Sequence, residues 1–420
     1  MRKLKDSGIE WIGKIPENWK VQRAKTLFSQ RLTKGNQDIT LLAATQKYGM
    51  LPQSEVEGVV QVKENADLQQ FRTVHKDDYV ISLRSFQGGF EFSQYEGVCS
   101  PAYQVFYNIK PVYHPYYRLM FKSDGFIKKM NSLTVGIRDG KNIQYDDFAN
   151  SLIPVPPLDE QEHIASYLDR KCSQIDAIIA KQQQIIEKLK EYKLSVITEA
   201  VTKGLDPNVP MKDSGVEWIG KIPEHWVTGK IKNFCNLKTG STPSTSNTEW
   251  FDGMIRWFTP GDFVETFILK DSARTLSQKA KDDMVAVIVP PNTVMIVGIG
   301  ATAGKIGYTM VECSCNQQIT AINTNKIMPK YLMYWMIANT KFLRDTAMFT
   351  TLPILNNQTI GNYLVMFPDD RNEEKEVVDY LDGKCDKIEI LIEAKKHEID
   401  RLHRYKKSII YEIVTGKMEV

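Results

Sequence analysis

The sequence predicts an α+β protein of two similar halves, each an α+β body followed by one long helix, with the two helices paired as an antiparallel coiled coil. Three observations point there. The phrase DSGIEWIGKIPENW at residues 6–19 returns as DSGVEWIGKIPEHW at 213–226, identical at 12 of 14 positions. Later stretches, SYLDRKCSQID at 166–176 and EYKLSVITEAVTKGL at 191–205, return as DYLDGKCDKIE at 379–389 and RYKKSIIYEIVTGKM at 404–418. Both tails carry an apolar residue at steps alternating between four and three, the seam of a coiled coil. Repeats of solenoids and propellers are ~20 to 50 residues long, so copies that begin 207 residues apart each open a domain-sized half.

The chain opens with the repeated phrase. Trp11, Ile12, Ile15, Pro16 and Trp19, like Trp218, Ile219, Ile222, Pro223 and Trp226, form an apolar patch around a turn. A phrase that is the same in both halves cannot specify two different ligands, so its predicted role is joinery. If a two-fold axis relates the halves, residues 1–19 should pack by the far end of the second helix, as residues 203–226 follow the end of the first.

The bodies, residues 20–155 and 227–367, share no such identity. Short β-like runs (DYVISLR, YQVFYNI, MIRWF, MVAVIVP, TVMIVGI) alternate with Gly, Asn, Pro and Ser clusters, the pattern of an α+β domain with long loops. The loops RLTKGNQD, RSFQGG, GIRDGKN, LKTGSTPSTSN, GIGATAGKIG, CNQQ and LNNQ carry cationic and amide tips. Such side chains hydrogen-bond base edges and phosphates.

The helices follow, over 156–203 and 368–420, with a linker at 204–226. The first seam runs Cys172, Ile175, Ile179, Gln182, Ile186, Leu189, Lys193, Val196 and Ala200; the second runs Cys385, Ile388, Ile392, Lys395, Ile399, Leu402, Lys406, Ile409 and Ile413. Polar residues stand at the same two steps, where they fix register at some cost in stability. Asp159 with Glu162, and Asp370 with Glu373, predict capping boxes at the entries; Gly204 and Gly416 predict the exits. From 160 to 202 the first helix would be about 65 Å long at 1.5 Å per residue.

Composition narrows the class. The longest apolar runs, 284–291 and 294–299, fall well short of the ~20 residues a membrane helix needs. The charged N-terminus leads into Trp-Ile-Gly and no signal-peptide core, and six irregularly spaced cysteines suit a reducing compartment, so a cytoplasmic location is expected.

Catalytic patterns fail on spacing or context. GIGATAGK lacks the phosphate-loop order and continues as KIGYTMV, a strand where a helix N-terminus would be needed; a β-hairpin is expected. Asp139-Gly140-Lys141, Asp169-Arg170-Lys171 and Asp382-Gly383-Lys384 echo the tail of a nuclease motif, but the last two lie on the long helices, away from any acidic cluster that holds a metal. Cys313-Ser314-Cys315 has the wrong spacing for zinc and reads as packing. The six histidines form no ligand-like pair and are expected to face solvent. No Asn-Pro-Pro-Tyr-like stretch of an adenine methyltransferase is present.

The repeated DSGxEWIGKIPExW, the helix entry IPVPPLDEQEHIASYLD, and LKTGSTPSTSNTEWFDGMIRWFTPGD with GIGATAGKIG resemble the specificity subunits of type I restriction-modification systems. The resemblance spans essentially the whole chain. It implies two target recognition domains, each reading one half of a bipartite site on double-stranded DNA, held apart by an antiparallel coiled coil. It implies a non-catalytic subunit with two S-adenosylmethionine-dependent adenine-N6 methyltransferase subunits and with motor-nuclease subunits that use ATP and Mg²⁺. One departure stands out: the second helix entry, MFPDDRNEEKEVVDYLD, lacks Pro-Pro and has Glu373-Glu374 where the first has Glu160-Gln161.

A net charge of +3 is small for a DNA-binding chain, so phosphate contacts must be local or supplied by partners. Candidate contacts are Lys34, Arg84, Gln87, Arg138, Lys141 and Asn142 in the first body. In the second they are Lys238, Ser241, Thr242, Lys305, Gln317, Asn356 and Gln358. The competing reading is a coiled-coil adaptor whose two heads bind proteins or sugars.

Overall fold

The computed structural model describes residues 2–35, 40–56, 68–82, 89–133, 143–264, 266–345, 348–349 and 353–420. The chain forms two compact units, one of residues 1–182 with 396–420 and one of 183–395, so each long helix contributes a part to each unit. The first long helix is Leu158–Lys203 and the second Arg371–Val414. At 46 residues the first is about 69 Å long. Ile175, Ile179, Ile186, Val196 and Ala200 of the first seam are buried, as are Cys385, Ile388, Ile392, Ile409 and Ile413 of the second.

In the first unit a four-stranded antiparallel sheet runs in the order Phe28–Arg31, Gln104–Asn108, Tyr79–Ile81, Phe90–Phe92. The helices His114–Phe121, Asp124–Leu133 and Tyr145–Asn150 pack an aromatic core on it: Phe28, Tyr79, Phe106, Phe121 and Phe148 meet ring to ring at 4.6–6.0 Å. Lys20–Arg23 pairs with Leu152–Val155, joining the start of the body to its end. His114 departs from expectation. It is half-buried between Tyr79 and Phe92, with its Nδ1 3.0 Å from the Tyr79 hydroxyl, and burial lowers its pKa.

In the second unit the sheet order is Asn236–Thr239, Ile319–Asn323, Thr293–Val297, Ile306–Thr309, all antiparallel. The expected hairpin is therefore present, as strands Thr293–Val297 and Ile306–Thr309. A second sheet, Arg274–Leu276, Phe251–Phe258, Cys313–Cys315, Ile288–Val289, includes one parallel pairing, between Phe251–Phe258 and Cys313–Cys315. Of the run 284–290 only Ile288–Val289 is strand, because Met284 has φ of 56° just past the short helix Gln278–Asp282 and turns the chain first. Cys313 and Cys315 are core residues whose thiols burial pushes up to about 12. Val227–Lys230 pairs with Leu364–Phe367, the counterpart of the closing strand pair in the first unit.

The repeated phrase is a joint in both units. In the first, Trp19 is fully buried; its indole Nε1 donates to Glu160 Oε2 (2.6 Å) at the start of the first long helix, while its ring lies against Gly416 at the end of the second. In the second, Trp226 donates to Glu373 Oε1 (2.8 Å) and its ring lies 3.4 Å from the position a Cβ would take on Gly204. Further along, Lys406 pairs with Asp176 (2.6 Å) in one unit and Lys193 with Glu389 (2.8 Å) in the other. Within each unit the helices are thus antiparallel, and the seam lysines Lys193 and Lys406 are satisfied across the pair. Residues 1–19 do lie by the end of the second helix: the Tyr411 hydroxyl donates to the Trp11 carbonyl.

The expected capping boxes are corrected. Asp159 falls inside the first helix, which starts at Leu158; Asp370 does accept from the Asn372 N–H (2.9 Å), but Glu373 turns away to Trp226 and His225. The glutamates near each entry hold the joint tryptophans. The neighbouring Gln161 and Glu374, both buried, accept the backbone N–H of Tyr113 (2.9 Å) and Met328 (3.0 Å), the residues that precede helices His114–Phe121 and Pro329–Ala338. Tyr116 and Tyr331 on those helices donate to Val414 O (2.7 Å) and Val201 O (3.1 Å), carbonyls of the last helical turns that would otherwise lack partners. The Glu-for-Gln exchange is therefore accommodated without changing the joint: Arg371 adds a 2.7 Å bond to Glu374, although burial still raises that carboxyl's pKa.

Glu160 makes a pH prediction. Burial pushes its pKa up, but hydrogen bonds from Arg2, Trp19 and Asn18 outweigh this and hold the carboxyl below its ordinary value. A depressed folded-state pKa stabilises the fold at pH above the unfolded value, and the stabilisation is lost as pH falls through the folded value. The stability gap between the wild type and Glu160→Gln, read from urea midpoints, should be constant near neutrality and shrink once pH drops below about 4. A gap that does not change in acid sinks this account.

Candidate nucleic-acid interface

In the second unit four loops converge at one end of the four-stranded sheet. Strand pairing sets Thr239 opposite Thr320. The chain continues as Gly240 and Ser241, whose N–H groups donate to Ile319 O (3.0 Å) and Cys315 O (2.9 Å). A Cβ on Gly240 would collide with the carbonyls of Cys315 and Asn316, so only glycine lets loop 240–242 lie on loop 316–318. The loop after Thr293–Val297 is tied in by Gly298 N to Gln318 O and Leu355 N to Gly298 O, each 2.7 Å. Together they line an open cavity of about 440 Å³ walled by Thr239, Thr320, Gln317, Gln318, Asn356, Asn357, Gln358 and the apolar Ile299, Ile354 and Leu355.

Three of the seven candidates in this body, Gln317, Asn356 and Gln358, line that cavity. Gln317 and Gln358 are exposed, and Thr242 at the rim donates to Gln317 Oε1. Asn356 is partly committed: its Oδ1 accepts the Thr359 N–H (2.8 Å) ahead of the short helix Asn357–Asn362. Ser241 is a structural strut, its hydroxyl 3.3 Å from Val285 O and accepting the Val287 N–H (2.9 Å). Lys305 lies in the hairpin turn with its ammonium on Phe263 O (2.7 Å), and Lys238 is exposed on the edge strand Asn236–Thr239.

In the first body Lys34 is exposed and donates to Gln70 Oε1 (2.6 Å). Arg84, Gln87, Arg138, Lys141 and Asn142 lie outside the described residues.

Sequence reasoning flagged the segments CNQQ and LNNQ but passed over Asn357, Thr239 and Thr320. Asn357 accepts from Thr320 (2.8 Å) and donates to Thr239 Oγ1 (2.9 Å), cross-linking the loop to both strands. Only the pairing of strands 80 residues apart in the chain puts these two threonines together, so no local pattern could show it. Among the described residues no cluster of His, Cys, Asp and Glu could hold a metal ion, and no helix is long and apolar enough to cross a membrane.

Two α+β bodies, each locked to an antiparallel pair of long helices through a repeated tryptophan joint, and a loop surface rich in amides, define a class of two-headed recognition protein. The sequence profile described as "Type I restriction modification DNA specificity domain" matches residues 16–191 and again 223–401. The chain belongs to this family, as a type I restriction-modification specificity subunit with two recognition domains. It is 23% identical to the putative type I restriction enzyme MjaX specificity subunit of Methanocaldococcus jannaschii over 97% of this chain and 96% of that one. It is 30% identical to the MjaIX specificity subunit of the same organism, over 44% of this chain and 43% of the relative, so that match spans less than half of either. The fold is shared with a chain from a structure of type I R-M complex assembly and conformational transition (TM-score 0.72, 14% identity, 96% of this chain and 99% of that one). It is also shared with the HsdS subunit from Thermoanaerobacter tengcongensis (TM-score 0.52, 14% identity, 96% and 98%).

Proposed function

We propose that the chain is the DNA-reading, non-catalytic subunit of a type I restriction-modification complex. Each recognition domain reads one half of a bipartite, asymmetric site. The long helices dock methyltransferase subunits, so that the complex methylates adenine N6 or, with motor-nuclease subunits, restricts unmodified DNA. S-adenosylmethionine, ATP and Mg²⁺ act in those partners. The observation that carries this reading is the division of labour within the repeat. Identity is concentrated in the joint segments, where Trp19 and Trp226 are buried, while the bodies between the joints differ, as two readers of different half-sites must.

Base contacts specify and phosphate contacts position. Exchanging residues 227–367 for the body of a homologous subunit, in cells that also express the neighbouring methyltransferase subunit, should change one part of a two-part N6-methyladenine motif and leave the other intact. An active methyltransferase with no motif that depends on this chain rejects the reading and leaves the adaptor, with protein- or ligand-binding heads.

A further inference from the structure

We infer that the amide-lined cavity of the second body reads the major-groove edge of an A·T base pair within its half-site; this rests on the DNA-reading function proposed above. The described residues that line it carry no charge, which suits neither a phosphate nor guanine, whose O6 and N7 are most often read by Arg or Lys. What it offers is carboxamides. Gln317 and Gln358 are exposed at the opening, and a glutamine amide makes a bidentate pair with adenine N6 and N7, donating to N7 and accepting from the N6 amine. Beside them stand Ile299, 36% exposed, and Ile354. Apolar side chains of this kind recognise the thymine methyl group, which in the major groove lies next to the adenine edge of the same pair.

The frame is rigid enough for such discrimination. The backbone bonds at Gly298, Gln318 and Leu355 fix the loops to one another. Asn357 is held by Thr239 and Thr320 and acts as a positioning residue, since its amide is committed to protein partners. Thr242 presents Gln317 by donating to its Oε1, and that bond must be exchanged for the adenine N6 donor when DNA enters.

The test is methylome sequencing of cells expressing the full chain with its methyltransferase subunit, comparing the wild type with Gln317→Ala, Gln358→Ala and the double variant. A lost bidentate pair is expected to relax one A·T position of one half-site by about 5- to 150-fold in discrimination, with the other half-site unchanged. Because both glutamines are exposed, the variants should fold, which a thermal unfolding curve verifies. The conservative Gln358→Asn variant should retain part of the preference. If the chain-dependent motif persists in all variants with every position intact, this inference fails while the DNA-reading function stands. If the relaxed position is G·C, the cavity reads a base but not the one assigned here, and the inference fails. If no chain-dependent motif exists, the function itself fails and takes this inference with it.

Discussion

Trp226→Ala should destabilise the second unit by about 3–5 kcal/mol, the usual cost of truncating a buried large aromatic. Trp226 is 1% exposed, belongs to the main core of that unit and meets the Tyr331 ring edge-on at 6.3 Å. Its removal opens a cavity where the end of one long helix meets the start of the other, and it strips Glu373 of one of its two donors, leaving His225 at 2.7 Å. Trp226→Phe separates these effects: the apolar contact largely survives while the indole N–H is lost, so a loss of about 1–3 kcal/mol is expected. Urea titration followed by circular dichroism reads both. A loss under about 1 kcal/mol for the alanine variant contradicts the assignment of the repeated phrase to joinery. The same phrase must leave base preference alone, so any methylation motif that the alanine variant still supports should be that of the wild type.

The long helices could be read in the sequence because their signal is local and periodic. Ile175, Ile179 and Ile186 announce a seam through their spacing alone, and their burial agrees. The glycines that end the helices were equally legible, since an αL cap favours glycine regardless of what surrounds it. The joint was legible only in part. Trp19 and Trp226 stand out as repeated aromatics, but their partners Glu160 and Glu373 lie 141 and 147 residues away, and local reasoning placed Glu373 in a capping box. The local signal was real and the tertiary one stronger. A carboxylate at the first turn satisfies the helix dipole wherever its side chain points, so the fold could direct it to the indole at little cost.

The interior of the bodies was the least legible. Parallel pairing of Phe251–Phe258 with Cys313–Cys315 joins strands separated by the strands Arg274–Leu276 and Ile288–Val289, a short helix and a hairpin, and no periodicity encodes such a partner. The candidate interface shares that limit. Gln317 and Gln358 were visible as amides in polar loops, whereas the commitments of Ser241 to Val285 and Val287 and of Asn356 to Thr359 depend on packing. Those commitments separate side chains that hold the loop from those that remain to meet a ligand.

Gly416→Ala should cost about 2–5 kcal/mol, and Gly204→Ala clearly less, even though both glycines lie just past the end of a long helix. Both have positive φ, 71° and 73°, which costs a residue with a Cβ roughly 1–2 kcal/mol. Their surroundings differ. A Cβ on Gly416 would run into the Pro16 ring, held in the hairpin of the repeated phrase, and come within 3.0 Å of Trp19 just after it. On Gly204 the nearest atom is Trp226 at 3.4 Å, an ordinary contact. Overpacking therefore adds about 1–3 kcal/mol at 416 only. Paired urea titrations of the two variants measure the difference; equal losses would mean that the first-unit joint yields to the added methyl, and would remove the steric part of the argument. The asymmetry bears on how such chains diverge. The duplicated tails set their glycines one residue out of register, Gly204 against Lys417 and Gly416 against Lys203, and the nearest contact of an added methyl is 3.4 Å at one and 2.4 Å at the other, so the same glycine-to-alanine change is tolerated at one helix end and not at the other.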